Sequence, residues 1–142
     1  GMYLAQWGSF GSADGQLYYP NGEAADLAGN IYVADTSNHR IQKFDANGAL
    51  VKSFGAGMAV FPHGIHVDAD GNVWITDGQD NLPRRAPGSA ADAPLPAPPA
   101  KVVGHQVIKF SPDGKVLLTL GKPGGNQPGQ PADPASFYWP LK

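Results

Sequence analysis

The chain has 142 residues, ten Lys and Arg against twelve Asp and Glu, a formal charge of −2 and no cysteine. Near-neutral charge without a basic block argues against nucleic acid, and the absence of cysteine excludes disulfides, thiolate metal sites and a Cys nucleophile. Glycine and proline make up 33 residues, about 23% against about 12% on average, so long helices are not expected. No apolar run approaches the roughly 18 residues of a membrane span, and no apolar h-region follows the start, so neither a span nor a signal peptide is expected. The compartment stays open.

In chain order, residues 1–17 read as a closing strand at 3–7 followed by a linker. Residues 18–56 then read as four short strands, at 22–26, 30–34, 40–44 and 50–54. In the third, Ile41 and Lys43 alternate with Gln42 and Phe44 at the period of a strand. Gly29-Asn30 and Asn47-Gly48 stand between strands, where tight hairpins need positive φ. Residues 57–122 repeat the unit. Gly29-Asn30-Ile31-Tyr32-Val33-Ala34-Asp35 returns as Gly71-Asn72-Val73-Trp74-Ile75-Thr76-Asp77 at an offset of 42, and His39-Arg40-Ile41-Gln42-Lys43-Phe44 returns as His105-Gln106-Val107-Ile108-Lys109-Phe110 at 66. The difference is a Pro/Ala-rich insertion over 79–104. Its prolines cannot serve a ladder strand, so it reads as a disordered or polyproline-like surface excursion, with a lid or partner-binding loop as the alternative. Arg84-Arg85 is its only charged cluster. Trp7-Gly8 repeats the closing pairs Phe54-Gly55 and Leu120-Gly121. Residues 123–142 are a linker to a next unit, opened by Phe137-Tyr138-Trp139-Pro140. Four antiparallel strands per roughly 40–45 residues is the period of a β-propeller blade. The expected fold class is therefore all-β, two blades per chain.

Gly29-Asn30-Ile31-Tyr32-Val33-Ala34-Asp35 with Asn38-His39-Arg40-Ile41-Gln42-Lys43-Phe44 resembles the NHL repeat, which implies a propeller that is six-bladed when complete. The second unit is similar to a narrower group. Phe61-Pro62-His63-Gly64-Ile65, Gly71-Asn72-Val73-Trp74-Ile75-Thr76-Asp77 and Gly104-His105-Gln106-Val107-Ile108-Lys109-Phe110 look like peptidyl-α-hydroxyglycine α-amidating lyases. That resemblance implies cleavage of a peptidyl-hydroxyglycine to a peptide amide and glyoxylate. It also implies an axial zinc held by three histidines from alternate blades and a calcium bound partly by backbone carbonyls. His63 falls on the first zinc histidine, and Ile65 on a position whose carbonyl binds calcium. The other two histidines, the catalytic arginine and the active-site tyrosine have no match in this chain.

The residues carry a reading of their own. An innermost strand lines the channel of a propeller, and His63 begins one where the first unit has Asn21. A neutral imidazole suits zinc, but one histidine is not a three-ligand site. A lone histidine also reads as a solvated or hydrogen-bonded side chain. His66, three residues on, is expected on the opposite face by strand alternation, which disfavours a chelating pair. His39, His105, Asp35 and Asp77 repeat in each unit and read as loop-bracing hydrogen-bond partners. Asp26, Asp68 and Asp70 read as Asx-turn residues. Trp7, Tyr32, Phe44, Phe54, Trp74 and Phe110 are assigned to faces packed between blades.

Two blades leave two faces uncovered, and repeat units generally need about three copies. The expectation is therefore self-association, most sharply a homotrimer of six blades bringing three copies of His63 to the axis, or completion by the blades of a longer parent. Three functions follow: a zinc-dependent carbon–nitrogen lyase acting on a peptide ligand, a non-catalytic NHL propeller that binds a protein or other ligand, or a fragment without activity of its own.

Overall fold

The computed structural model describes residues 1–127, 131 and 133–137. It contains eight strands: β1 (Pro20–Ala25), β2 (Ile31–Asp35), β3 (Arg40–Phe44), β4 (Leu50–Phe54), β5 (Pro62–Val67), β6 (Val73–Asp77), β7 (Val107–Phe110) and β8 (Val116–Leu120). They form two four-stranded antiparallel sheets in sequential order, β1 to β4 and β5 to β8. The remaining regular element among the described residues is a single 3₁₀ turn, Thr36–Asn38. No helix among the described residues is long and apolar enough to cross a membrane.

The strands expected at 40–44 and 50–54 match β3 and β4 to the residue. The one placed at 22–26 instead runs over Pro20–Ala25, because Pro20 already pairs with Asp35 across an irregularity in the ladder. The strand placed at 30–34 runs over Ile31–Asp35.

One turn is used four times. Gly29, Gly48, Gly71 and Gly114 have φ of 85°, 83°, 80° and 86°. Each donates its amide to the carbonyl three residues back, on Asp26, Asp45, Asp68 and Ser111. A type I turn followed by a left-handed residue closes a hairpin with the twist of its strands, and only glycine takes that φ without strain. Side chains reinforce the geometry: the Asp26, Asp45 and Asp68 carboxylates accept the amides two and four residues on.

The core lies between the sheets. Tyr32, Ile41 and Phe54 of the first blade meet Val73, Ile75, Ile108 and Phe110 of the second, with Ile65 and Val67 packed against them. The Phe54 and Phe110 rings cross edge to face at 5.3 Å, and Phe54 covers Gly114. The same contact recurs one blade earlier, where Trp7 covers Gly48 and lies 6.3 Å from the Phe44 ring. Residues 3–7, expected as a closing strand, enter no ladder among the described residues. Trp7 nevertheless occupies the place a preceding blade would fill. At the other edge Phe137 sits over Gly121 as Leu17 sits over Gly8, so the approach to a further unit is built in the same way. Residues 138–140 of that expected unit lie outside the described ones.

The two inner strands touch backbone to backbone. A Cβ on Gly22 would lie 2.3 Å from the His63 carbonyl oxygen, and a backbone atom cannot yield as a side-chain tip can. Gly22→Ala is therefore expected to cost about 1–3 kcal/mol through overpacking, read as a lower urea midpoint with an unchanged m-value.

Candidate functional site

The site begins at the entry to β5. The backbone polar groups of residues 60–62 all have partners. Asp77, fully buried, accepts the Val60 and Phe61 amides at 2.9 and 2.7 Å. The Phe61 carbonyl takes the Gly78 amide at 3.0 Å. From the first blade, His39 Nδ1 donates to the Val60 carbonyl, and the Thr36 hydroxyl donates to the Pro62 carbonyl at 2.6 Å. The next residue is His63, delivered from a segment with no unpaired backbone group.

A bulge follows. Pro62 pairs with Asp77 and Ile65 with Ile75, so His63 and Gly64 together oppose the single residue Thr76, whose hydroxyl accepts the Gly64 amide at 3.0 Å. Two residues against one consume the alternation. The expectation that His63 and His66 point to opposite faces therefore fails: the register places His63 and Gly64 opposite Thr76, on the side where His66 pairs with Trp74. The His63 ring is half-buried and stacks on Phe61, with centroids 5.8 Å apart and planes 18° apart. Ile65 turns into the inter-blade core. Among the described residues no three His, Asp or Glu side chains gather around a common point. His63 thus has the donor chemistry for zinc, but the described chain does not supply the donor number.

The repeated acids brace loops, as their recurrence implied. Asp35 is the counterpart of Asp77. It accepts the Tyr18 amide at 2.7 Å, the Asn38 amide group at 2.9 Å, Arg40 Nε at 2.7 Å and Gln42 Nε2 at 3.2 Å. Arg40 and Gln42 then reach the carbonyls of Ala13 and Gln16. Desolvation pushes the Asp77 carboxyl above its ordinary range despite the backbone amides that favour its ionised form. His105 has the same left-handed backbone as His39, φ 53° against 54°, but its Nε2 bonds Asp80 at 3.0 Å.

At the outer turns the direction reverses. Asp68 is held far below the usual carboxylate range, chiefly by the Trp74 indole N–H at 3.0 Å and also by Asn72 and by Lys109 at 3.2 Å. Burial alone would raise Asp26, but bonds from Asn30 and Ala28 bring it net below. The Asp26 and Asp68 turns flank a shallow cleft of about 220 Å³ that also includes Asp70. The Asp26 and Asp68 carboxylates are already engaged by their own turns, which fits the Asx reading.

Thr36, Arg40 and Gln42 did not stand out in the sequence. Arg40 and Gln42 become Gln106 and Ile108 in the second unit, so no repeated signal marked them. The likeness of Trp7-Gly8 to Phe54-Gly55 was the sequence sign of the Trp7 contact.

Residues 17–44, covering β1 to β3, match the NHL repeat. The chain is 44% identical over 82 residues to Protein brain tumor of Drosophila melanogaster, covering 54% of this chain and 8% of that protein. It is 32% identical over 93 residues to peptidyl-alpha-hydroxyglycine alpha-amidating lyase 2 of the same organism, covering 65% of this chain and 15% of that protein. It is 32% identical over 86 residues to peptidylglycine alpha-amidating monooxygenase of Rattus norvegicus, covering 57% and 6%. The chain therefore spans a small part of the length of each.

Two outcomes are expected. Asp77→Ala orphans two amides beside the core and should cost roughly 3 kcal/mol, seen in urea denaturation. For Asp68 the folded pKa is depressed, so its stabilisation is complete above about pH 5 and is lost as pH falls toward the folded value. The difference in denaturation midpoint between wild type and Asp68→Asn should be constant from about pH 7 to about pH 5 and shrink steadily from there to about pH 2.

Proposed function

Taking the chain as an NHL-repeat protein, we propose that its blades are consecutive sectors of a six-bladed propeller of the amidating-lyase type, with His63 as one of three zinc ligands at the channel. The observation that carries this reading is the fixed entry to β5. His63 replaces Asn21 of the first unit, follows a fully bonded segment, and is stacked rather than free. A ligand held in a fixed geometry before the metal arrives binds it with less loss of freedom. The two remaining ligands come from other blades, and the substrate is a peptide ending in hydroxyglycine. The Ile65 carbonyl as a calcium ligand rests on the lyase resemblance alone.

A second reading has its own support. The 44% identity to Protein brain tumor over 82 residues favours a non-catalytic propeller that presents its loops to a protein partner.

The further blades come from additional units in one chain or from further copies. A ring of three copies requires Leu120 of one copy to replace Trp7 over Gly48 and Phe44 of the next, with residues 1–9 displaced. Native mass spectrometry with added zinc separates these cases. Three chains holding one zinc, with the metal lost in His63→Ala, supports the ring and the ligand together. A metal-free monomer overturns the ring. Release of glyoxylate from a hydroxyglycine peptide by the six-bladed assembly, abolished in His63→Ala, supports the lyase; zinc uptake without glyoxylate supports the non-catalytic propeller.

A further inference from the structure

The insertion carries a feature that the blades do not use. From Ala93 to Pro99 the sequence is Ala-Pro-Leu-Pro-Ala-Pro-Pro, and every one of those residues either is proline or precedes one. Proline fixes its own φ near −65° and drives the residue before it into the extended or polyproline II region. Seven consecutive residues are thus confined by covalent geometry alone. The structure agrees. Residues 93–99 carry no regular element or turn, and no left-handed φ occurs between Gly88 and Gly104. Among the described residues, no hydrogen bond uses the backbone groups of residues 94–100. Pro94, Leu95, Pro96, Ala97 and Pro98 are all exposed.

Both ends of this rod are tied. Arg85 Nε donates to the Ala93 carbonyl at 2.9 Å. At the other end the Asn81 side chain donates to the Lys101 carbonyl at 2.8 Å and accepts the Val103 amide at 3.0 Å. Asp80 pairs with Gly104 and, buried, holds Arg84 at 3.1 Å and His105 at 3.0 Å. The neck therefore rests on the end of the central β6–β7 strand pair of the second blade. A polyproline II helix repeats every three residues. Leu95 and Pro98 fall on one ridge and Pro96 and Pro99 on the next, and the chain bends at Ala100 and Lys101 just beyond them. Lys101 is exposed, and its ammonium enters no ion pair among the described residues.

We propose that residues 94–99, with Lys101 just beyond the bend that ends them, are a presented polyproline II ligand for a protein module with an aromatic-lined groove and carboxylates at one end. The two proline ridges fill the groove. Lys101, a single cation at the C-terminal end, sets the direction of docking against those carboxylates. Recognition of this kind gains from a ligand that is ordered before it binds, and the tied ends supply that order.

The test uses the full chain and a set of purified Src-homology-3 domains with acidic or neutral specificity pockets, followed by NMR titration. Saturable shifts confined to residues 94–101 with an acidic-pocket domain are expected. Pro96→Ala/Pro99→Ala and, separately, Lys101→Glu should each weaken binding by roughly tenfold or more, equivalent to about 1.4 kcal/mol. Both changes lie on an exposed loop, and an unchanged circular dichroism spectrum checks that the blades stay folded. The proposal is overturned if no domain in the set gives a saturable response, if the shifts map to the blades, or if the variants bind as well as wild type.

Discussion

The buried carboxylate at the end of the second strand of each blade governs the structure around it. Asp35 and Asp77 are both fully buried; Asp77 accepts two backbone amides from the segment leading into its own inner strand, and Asp35 accepts one. A buried charge is tolerated only when its hydrogen-bonding capacity is filled. The incoming backbone fills it at Asp77, and at Asp35 one amide is joined by the Asn38, Arg40 and Gln42 side chains, so the acid and the segment fix each other. The inner strand then starts at a set height, the bulge after Pro62 follows, and the Gly22 backbone meets the His63 carbonyl. The neighbouring blade reads the same segment through Thr36 and His39. One carboxylate thereby serves both the blade and the seam between blades.

Much of this was legible in the sequence because it is local and repeated. The acids at the turns and the glycines at positive φ rest on interactions within about five residues, the third and fourth strands pair through a single hairpin, and the second unit repeats them. Asp35 and Asp77 were readable as braces because both units carry them. What escaped was long-range or changed parity. Thr36 reaches Pro62, 26 residues away, and its counterpart in the second unit is Gly78, so repetition gave no hint. The bulge at His63 adds one residue to one strand. Strand alternation has a period of two, so that single addition reversed the face inferred for His63 relative to His66. His63 itself was legible as a departure from the repeat at Asn21. Its stacking on Phe61 was not, because the bulge sets the ring's direction.

The two edges of the blade pair show how repeat units mark their neighbours. An aromatic residue that precedes a glycine covers the turn glycine of the next blade: Trp7, outside any ladder, over Gly48, and Phe54, at the end of β4, over Gly114. Glycine is needed there for its φ, and its missing side chain leaves the space that the neighbour fills. A single residue thus satisfies the turn within a blade and the packing between blades. The seam is portable for the same reason. Any closing strand ending in a large apolar residue followed by glycine, including Leu120-Gly121, presents the same key.

The insertion over 79–104 obeys the same economy. In the first blade the link between the second and third strands is the short turn Thr36–Asn38, ending on His39 in a left-handed conformation with its amide bonded to Thr36. In the second blade the link ends on His105, with nearly the same φ and its amide bonded to the Gln79 carbonyl. The two ends of the insertion are therefore joined across the position where the short turn would close, and the Asp80–Gly104 bridge seals the neck. The strands on either side keep the register they have in the first blade. Loop-closure entropy rises only slowly with length, and the neck bonds offset part of it. A long segment can then leave the blade without disturbing it, and proline is the residue type that keeps such a segment extended once it has left.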